Sequence, residues 1–323
     1  MTQIISQLCR AFALQVEDRL VTQTAAGSAP RKFDALANKN VIYWARDAIV
    51  SIGYTGLAYV KDLPTDDWIA ATLTGLDVAE NFAIRNGPLP RWWDIGQAID
   101  LLCRELKASE IAARKDYFEL EITGWQWKKG KRPLIGSRQP VPLGCSIRKA
   151  YGKDFEVKRL PRHWYWKPGA QFGASPEGGL SLSLAEIQQL AERMHSLPDS
   201  QYEQAIVDAI RSVAARNPDY VGPNCMSVLI APPHIRALVQ ITFFPQERHT
   251  ARLVSSKFVS PEYLAAYSPW IIGNGLVQKP SVFIGDGWEF HMGPFTVLLK
   301  GFPAGPGLLA GMSSQRRPAR AIR

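Results

Sequence analysis

Thr2 is the residue whose type and position most directly suggest chemistry. With Met1 removed, a step that a small second residue favours, its hydroxyl would sit beside a free α-amino group. An alcohol is a weak nucleophile at neutral pH and needs a base, and an α-amine titrating near pH ~8 can take that proton. One residue would then supply both nucleophile and base. Farther along, Asp18 and Lys39 read as an ion pair able to anchor a hairpin, and Gly53 and Gly56 fall where a strand turns towards a helix.

Other chemistries find little support. His163, His195, His234, His249 and His291 are isolated, without the spacing of a zinc site or a triad. Neither a phosphate-binding glycine loop nor a GxSxG elbow occurs. Cys9, Cys103, Cys145 and Cys225 are scattered, which argues against a disulfide framework and for a reducing cytoplasm. The first ten residues lack the features of a signal peptide. No run reaches the ~18 apolar residues of a membrane helix. No metal and no cofactor is expected.

The net charge of +9 is uneven. Trp125 to Lys167 holds twelve Lys or Arg against two acids, and the last nine residues hold four arginines, so the remainder is acidic. Aromatics interleave with charge in the basic stretch: Trp125, Trp127, Trp164, Tyr165 and Trp166 among Lys128, Lys129, Lys131, Arg132 and Arg162. Such a mixture can stack bases and neutralise phosphates. Without a nucleic-acid motif, a solvated loop whose tryptophans pack back on the body or on a neighbouring subunit is the better reading.

The elements that must position Thr2 are short strands. Gln3–Leu8 and Ala11–Glu17 form a hairpin, with Phe12, Leu14 and Val16 alternating against Ala13, Gln15 and Glu17. Thr22 to Asp34 is polar and reads as a loop; Val41–Trp44 and Ala48–Tyr54 are strands. Helices follow from about Thr65, which is placed to cap one beside Asp66 and Asp67, and from Arg91 to Arg114. Phe118–Thr123 is a strand, and the basic stretch is mostly loop until Phe155–Trp166. Capping-box patterns at Ser183/Glu186 and Ser200/Glu203 open two further helices, to Leu197 and Arg216. Strands return at Met226–Ala231, Ala237–Phe244, Arg252–Ser255, Phe283–Ile284 and Phe295–Lys300. Gly273-Asn274-Gly275 and Gly285-Asp286-Gly287 read as hairpin turns. Strands and helices come in blocks, which argues against a doubly wound sheet.

Thr2, Asp18 in Val16-Glu17-Asp18-Arg19-Leu20-Val21-Thr22, Lys39 in Asn38-Lys39-Asn40-Val41, and the run Ile49 to Ala58 together resemble proteasome-type N-terminal-nucleophile hydrolases. That resemblance implies Thr2 as nucleophile, Asp18 holding Lys39 as electrostatic support, and the Gly56 backbone N–H as oxyanion donor. More faintly, Phe172 to Gly178 and Pro218 to Pro223 match later turns. There Asp219 is displaced by about one position, and Val221 stands where the family carries serine.

The expectations are therefore these. The fold is α+β, a four-layer αββα sandwich over residues 1–232, with a β-rich extension at 233–302 and a disordered basic tail at 303–323. The function is amide or peptide hydrolysis by Thr2 in a cytoplasmic homo-oligomer. A catalytically silent assembly subunit is the alternative, and nucleic-acid binding through residues 125–167 is a further one. A peptide or amide is the expected ligand, with no membrane partner.

Overall fold

The computed structural model describes residues 3–9, 11–23, 31–34, 37–80, 82–114, 117–127, 140–150, 152–159, 171–172, 182–198, 201–233, 237–244, 265–280, 282–284, 288–292 and 295–300. Over these residues the chain is a mixed α/β structure with two large sheets and four α-helices. Thr2, Arg252–Ser255, Gly285 to Gly287 and the tail lie outside the described residues.

The seven-stranded sheet runs in the order Gln171–Phe172, Ile4–Leu8, Ala13–Asp18, Cys225–Ile230, Ala237–Phe244, Phe295–Lys300, Trp288–Met292. The eight-stranded sheet runs Glu156–Arg159, Val141–Lys149, Phe118–Gln126, Ala48–Thr55, Asn40–Trp44, Trp270–Gly273, Gly275–Gln278, Ile84–Gly87. Neighbours are antiparallel except Ala237–Phe244 with Phe295–Lys300 and Asn40–Trp44 with Trp270–Gly273. Strands from beyond Pro233 thus extend both sheets of the preceding residues.

Helices α1 (Thr65–Thr74) and α2 (Ile95–Lys107) share an apolar cluster with the eight-stranded sheet, through Ile69, Leu73, Ile99 and Leu102 against Val41, Val50, Ile52 and Leu120. Helices α3 (Leu184–Ser196) and α4 (Tyr202–Arg216) share another with the seven-stranded sheet, through Ile206, Ile210 and Val213 against Ile5, Leu14 and Val16. A third cluster joins the two sheets directly: Leu8, Ala13, Met226, Val228, Ile230 and Ile241 against Ile42, Ile49, Trp125 and Ile271. Alternation along each strand explains how one strand serves two cores.

Several local expectations change. The Thr22–Asp34 loop contains a ribbon, Val21–Gln23 with Arg31–Asp34. The basic stretch contributes the nine-residue strand Val141–Lys149, fully paired with Phe118–Gln126. Helix α2 begins at Ile95, with Asp94 extended at its cap, while before it Trp92 Nε1 donates to the Trp44 carbonyl and Trp93 Nε1 to that of Leu73. Thr65 lies inside α1, its hydroxyl donating to the Leu57 carbonyl, and Pro64 occupies the cap position. The Ser183/Glu186 capping box is formed; Ser200 lies outside the described residues, and Gln201 stands at the cap of α4. Trp125 and Trp127 are buried, their indole N–H groups donating to the carbonyls of Ile230 and Arg46. The other aromatic and basic residues named with them are outside the described residues.

Candidate functional site

Asp18 ends its strand with both carboxylate oxygens occupied. Oδ1 accepts from the Gln3 backbone N–H at 2.7 Å. Oδ2 accepts from the N–H groups of Leu20 and Gly222, each at 3.0 Å, and faces Lys39 Nζ at 3.3 Å. Side chains 18 and 39 are sealed from solvent, at 0% and 1% exposure. Lys39 also donates to the Leu20 carbonyl at 2.5 Å. Four segments of the chain therefore meet on one carboxylate.

Two glycines make the convergence sterically feasible. A Cβ on Gly222 would lie 2.7 Å from Leu20 Cβ, too close for two carbons. Gly56 has φ +104°, and a Cβ there would meet the Tyr117 carbonyl oxygen at 2.3 Å. Glycine is the residue that fits both the dihedral and the space.

Lys39 and Gly56 share the wall of a small recess with Leu20, Thr22, Tyr54 and Leu57, of about 30 Å³. That is room for about one water molecule. Tyr54 donates its hydroxyl to the Asn38 carbonyl, and burial pushes its own proton affinity well up. Burial also pushes the Lys39 ammonium down from the usual lysine range, while Asp18 and Glu17 pull it back. Lys39 thus contributes to the wall of the recess while its Nζ is engaged by Asp18 and the Leu20 carbonyl.

Behind this cluster the layer between the sheets is polar. Gln15 Nε2 donates to Ser6 Oγ and to the Glu121 carbonyl, each at 3.2 Å. Its Oε1 accepts from Asn40 Nδ2 at 2.6 Å. Ser51 Oγ lies 2.8 Å from Gln15 Oε1 and 2.9 Å from Asn40 Oδ1, so its single proton serves two acceptors. Asn40 Nδ2 also reaches Glu17 Oε2 at 3.4 Å. Burial pushes the Glu17 carboxyl up to about 8, opposed by the Lys39 charge.

The structure therefore brings Asp18, Lys39 and Gly56 into one neighbourhood, while Thr2 lies outside the described residues. Asp219 is exposed, and Val221 is buried among apolar residues under α4; Gly222 is the residue of that turn that reaches Asp18. Glu17, Gln15, Asn40 and Ser51 were not among the expected site residues. Their signal was a strand whose polar positions alternate with apolar ones, a pattern that ordinarily marks a solvent face. Among the described residues no group of three His, Cys, Asp or Glu side chains is placed to hold a metal ion.

No family model matches the chain. No curated protein matches it either. Among solved structures, a Gly-1 mutant of Anbu from Hyphomicrobium sp. strain MC1 aligns with 72% of this chain and 82% of its own, at 9% identity and a TM-score of 0.41. These values carry neither a fold nor a function. The kinship with proteasome-type hydrolases expected from the opening residues is corrected accordingly: matches to a few residues around Thr2, Asp18 and Lys39 are not accompanied by a family match along the chain.

Proposed function

We propose that the protein hydrolyses amide bonds, with Thr2 as nucleophile once Met1 is gone. One observation carries this reading: the Gln3 N–H, one residue from Thr2, and the buried Lys39 ammonium are held by the same carboxylate. In the proposed reaction the Thr2 α-amine takes the proton of its own hydroxyl, and Oγ attacks the substrate carbonyl. The resulting oxyanion is stabilised by the Lys39 charge and a donor such as the Gly56 N–H. Collapse passes the proton to the leaving amine and leaves an ester on Thr2, which water then hydrolyses. Asp18 fixes Lys39 and the chain at Gln3. We further infer that the three apolar clusters stack helices, sheet, sheet and helices in four layers, putting this cluster at the rim of the inner layer.

Incubation with a β-lactone or an epoxyketone, followed by mass spectrometry of the N-terminal peptide, tests the reading. The expected result is one adduct on Thr2 in protein lacking Met1, absent in Thr2→Ala. Retention of Met1, or no adduct on a processed Thr2, overturns it.

A second reading draws on the saturation of Asp18. Three backbone N–H groups and one ammonium on one carboxylate also suit a structural anchor in a subunit that acts by assembly. It predicts an oligomer, seen by light scattering, that Thr2→Ala leaves intact, in a protein that no such reagent modifies.

A further inference from the structure

The buried cluster at the site contains two acids and one base. Glu17, Asp18 and Lys39 are 1%, 0% and 1% exposed. With all three ionised, Lys39 alone faces two carboxylates away from water, because the buried Arg19 guanidinium lies over the Phe243 ring and donates to the Ala37 carbonyl; such a cluster is costly unless compensated. Asp18 is fully engaged by Lys39 and by backbone donors. Glu17 is not: among the described residues, Oε2 receives one long bond, from Asn40, and Oε1 is buried without a hydrogen-bond partner. Asn40 is itself committed to Gln15 at 2.6 Å, so it cannot move closer to Glu17 without giving up the shorter contact.

We propose that Glu17 is a positioning residue for the charge on Lys39: it stays protonated so that Lys39 and Asp18 form a balanced pair, and its ionisation sets the alkaline limit of the site's reactivity. This rests on the hydrolase reading. The step is the loss of the Glu17 O–H proton to water, with no other bond changed. The extra negative charge then strengthens the hold of Lys39 on its own proton and opposes the oxyanion forming beside it.

The charged and titratable surroundings agree. Glu17 is followed by Asp18 at the end of its strand, which repels its charge, and by Arg19 just beyond, which favours it; Lys39, preceding strand Asn40–Trp44, favours it most. The neighbouring strands add Cys225, Tyr54 and Glu121, with Glu119 and Tyr43 farther along theirs, and Cys225 and Tyr54 are pushed to higher proton affinity partly by Glu17 itself. Burial outweighs the Lys39 attraction and holds the Glu17 carboxyl near 8. A proton affinity raised by folding contributes stability that is complete below the unfolded value near 4.5 and is lost as pH rises through about 8.

The test compares wild type with Glu17→Gln, whose amide mimics the uncharged acid. The rate of β-lactone labelling and the urea midpoint are each measured from pH 5 to pH 10. The expected labelling rate of the wild type falls at least about threefold between its maximum and the alkaline end, a limb that the variant lacks. The stability of the wild type declines with pH relative to that of the variant over the same window. The same alkaline limb in both proteins overturns the proposal. If Glu17→Gln does not fold, the carboxyl carbons of ¹³C-glutamate-labelled wild type are followed by NMR, with Glu17→Asp identifying the resonance; a Glu17 carboxyl already ionised at pH 6 overturns it. Should neither protein label while that resonance titrates near pH 8, the hydrolase reading fails and the charge balance at Lys39 stands.

Discussion

The layer between the two sheets has two halves that the same strands build with opposite chemistry. Along Ala13–Asp18 the inward positions run Ala13, Gln15, Glu17; along Ala48–Thr55 they run Ile49, Ser51, Gly53; along Phe118–Gln126 they run Trp125, Thr123, Glu121. Cross-strand register keeps these in step, Trp125 with Ile49, Thr123 with Ser51 and Glu121 with Gly53. Two residues of strand, about 7 Å, separate a dry apolar core from a hydrogen-bonded one. The apolar half holds the sheets together without regard to direction. The polar half demands specific partners, and it is there that Lys39, Asp18 and Glu17 gather. The lesson is one of division of labour: one half of the layer contributes adhesion that tolerates small shifts, and the other contributes a geometry that does not.

Substitutions can break this contrast at graded cost. The largest effect is expected from Asp18→Ala, which strands a buried ammonium and three backbone donors; urea unfolding should show a loss of about 3–5 kcal/mol. Next is Ile241→Ala in the apolar half, where Ile241 is fully buried. The expected loss is about 3 kcal/mol and independent of pH. Gln15→Ala in the polar half should cost about 2 kcal/mol by unpairing Asn40 and Ser51. It should also slow β-lactone labelling, which Ile241→Ala leaves unchanged at a temperature where both are folded. The smallest effect belongs to Glu156→Ala, outside both halves. Glu156 sits on the edge strand Glu156–Arg159, 2.8 Å from Arg148 on the neighbouring strand, and the pair is partly exposed, at 52% and 35%. A change under about 1 kcal/mol in the same assay would confirm that fixed charge matters here only when buried.

Much of the architecture was legible in the residues. The opening hairpin, the pair Asn40–Trp44 and Ala48–Thr55, the Ser183/Glu186 capping box and the Gly273-Asn274-Gly275 turn all follow from local rules that tertiary packing did not override. The strand Val141–Lys149 was hidden because Pro140 and Pro142 read as loop; Pro142 is accommodated opposite Trp125, near one end of the pairing. The start of α2 was misplaced because Trp92 and Trp93 carry helical spacing but spend their indoles on distant carbonyls. For the site, Asp18 and Lys39 are singled out by the resemblance around Thr2 and their spacing from it, not by charge, which Glu17 shares. Glu17 and Gln15 are not, since an alternating polar residue declares its face only when the second sheet is known to cover it.

Asp18 also bears on the order in which the molecule comes into being. One of its four contacts reaches across 204 positions of chain, to Gly222. A ribosome has released the first strands long before it makes residue 222, at about 5–20 residues per second. Until then the carboxylate lacks one of its backbone donors, and the strand Cys225–Ile230 that flanks Asp18 in the sheet does not yet exist. The scaffold around Lys39 is thus finished only after most of the polypeptide has been synthesised, so a nascent or truncated chain carries the residues of the proposed site without the setting that holds them.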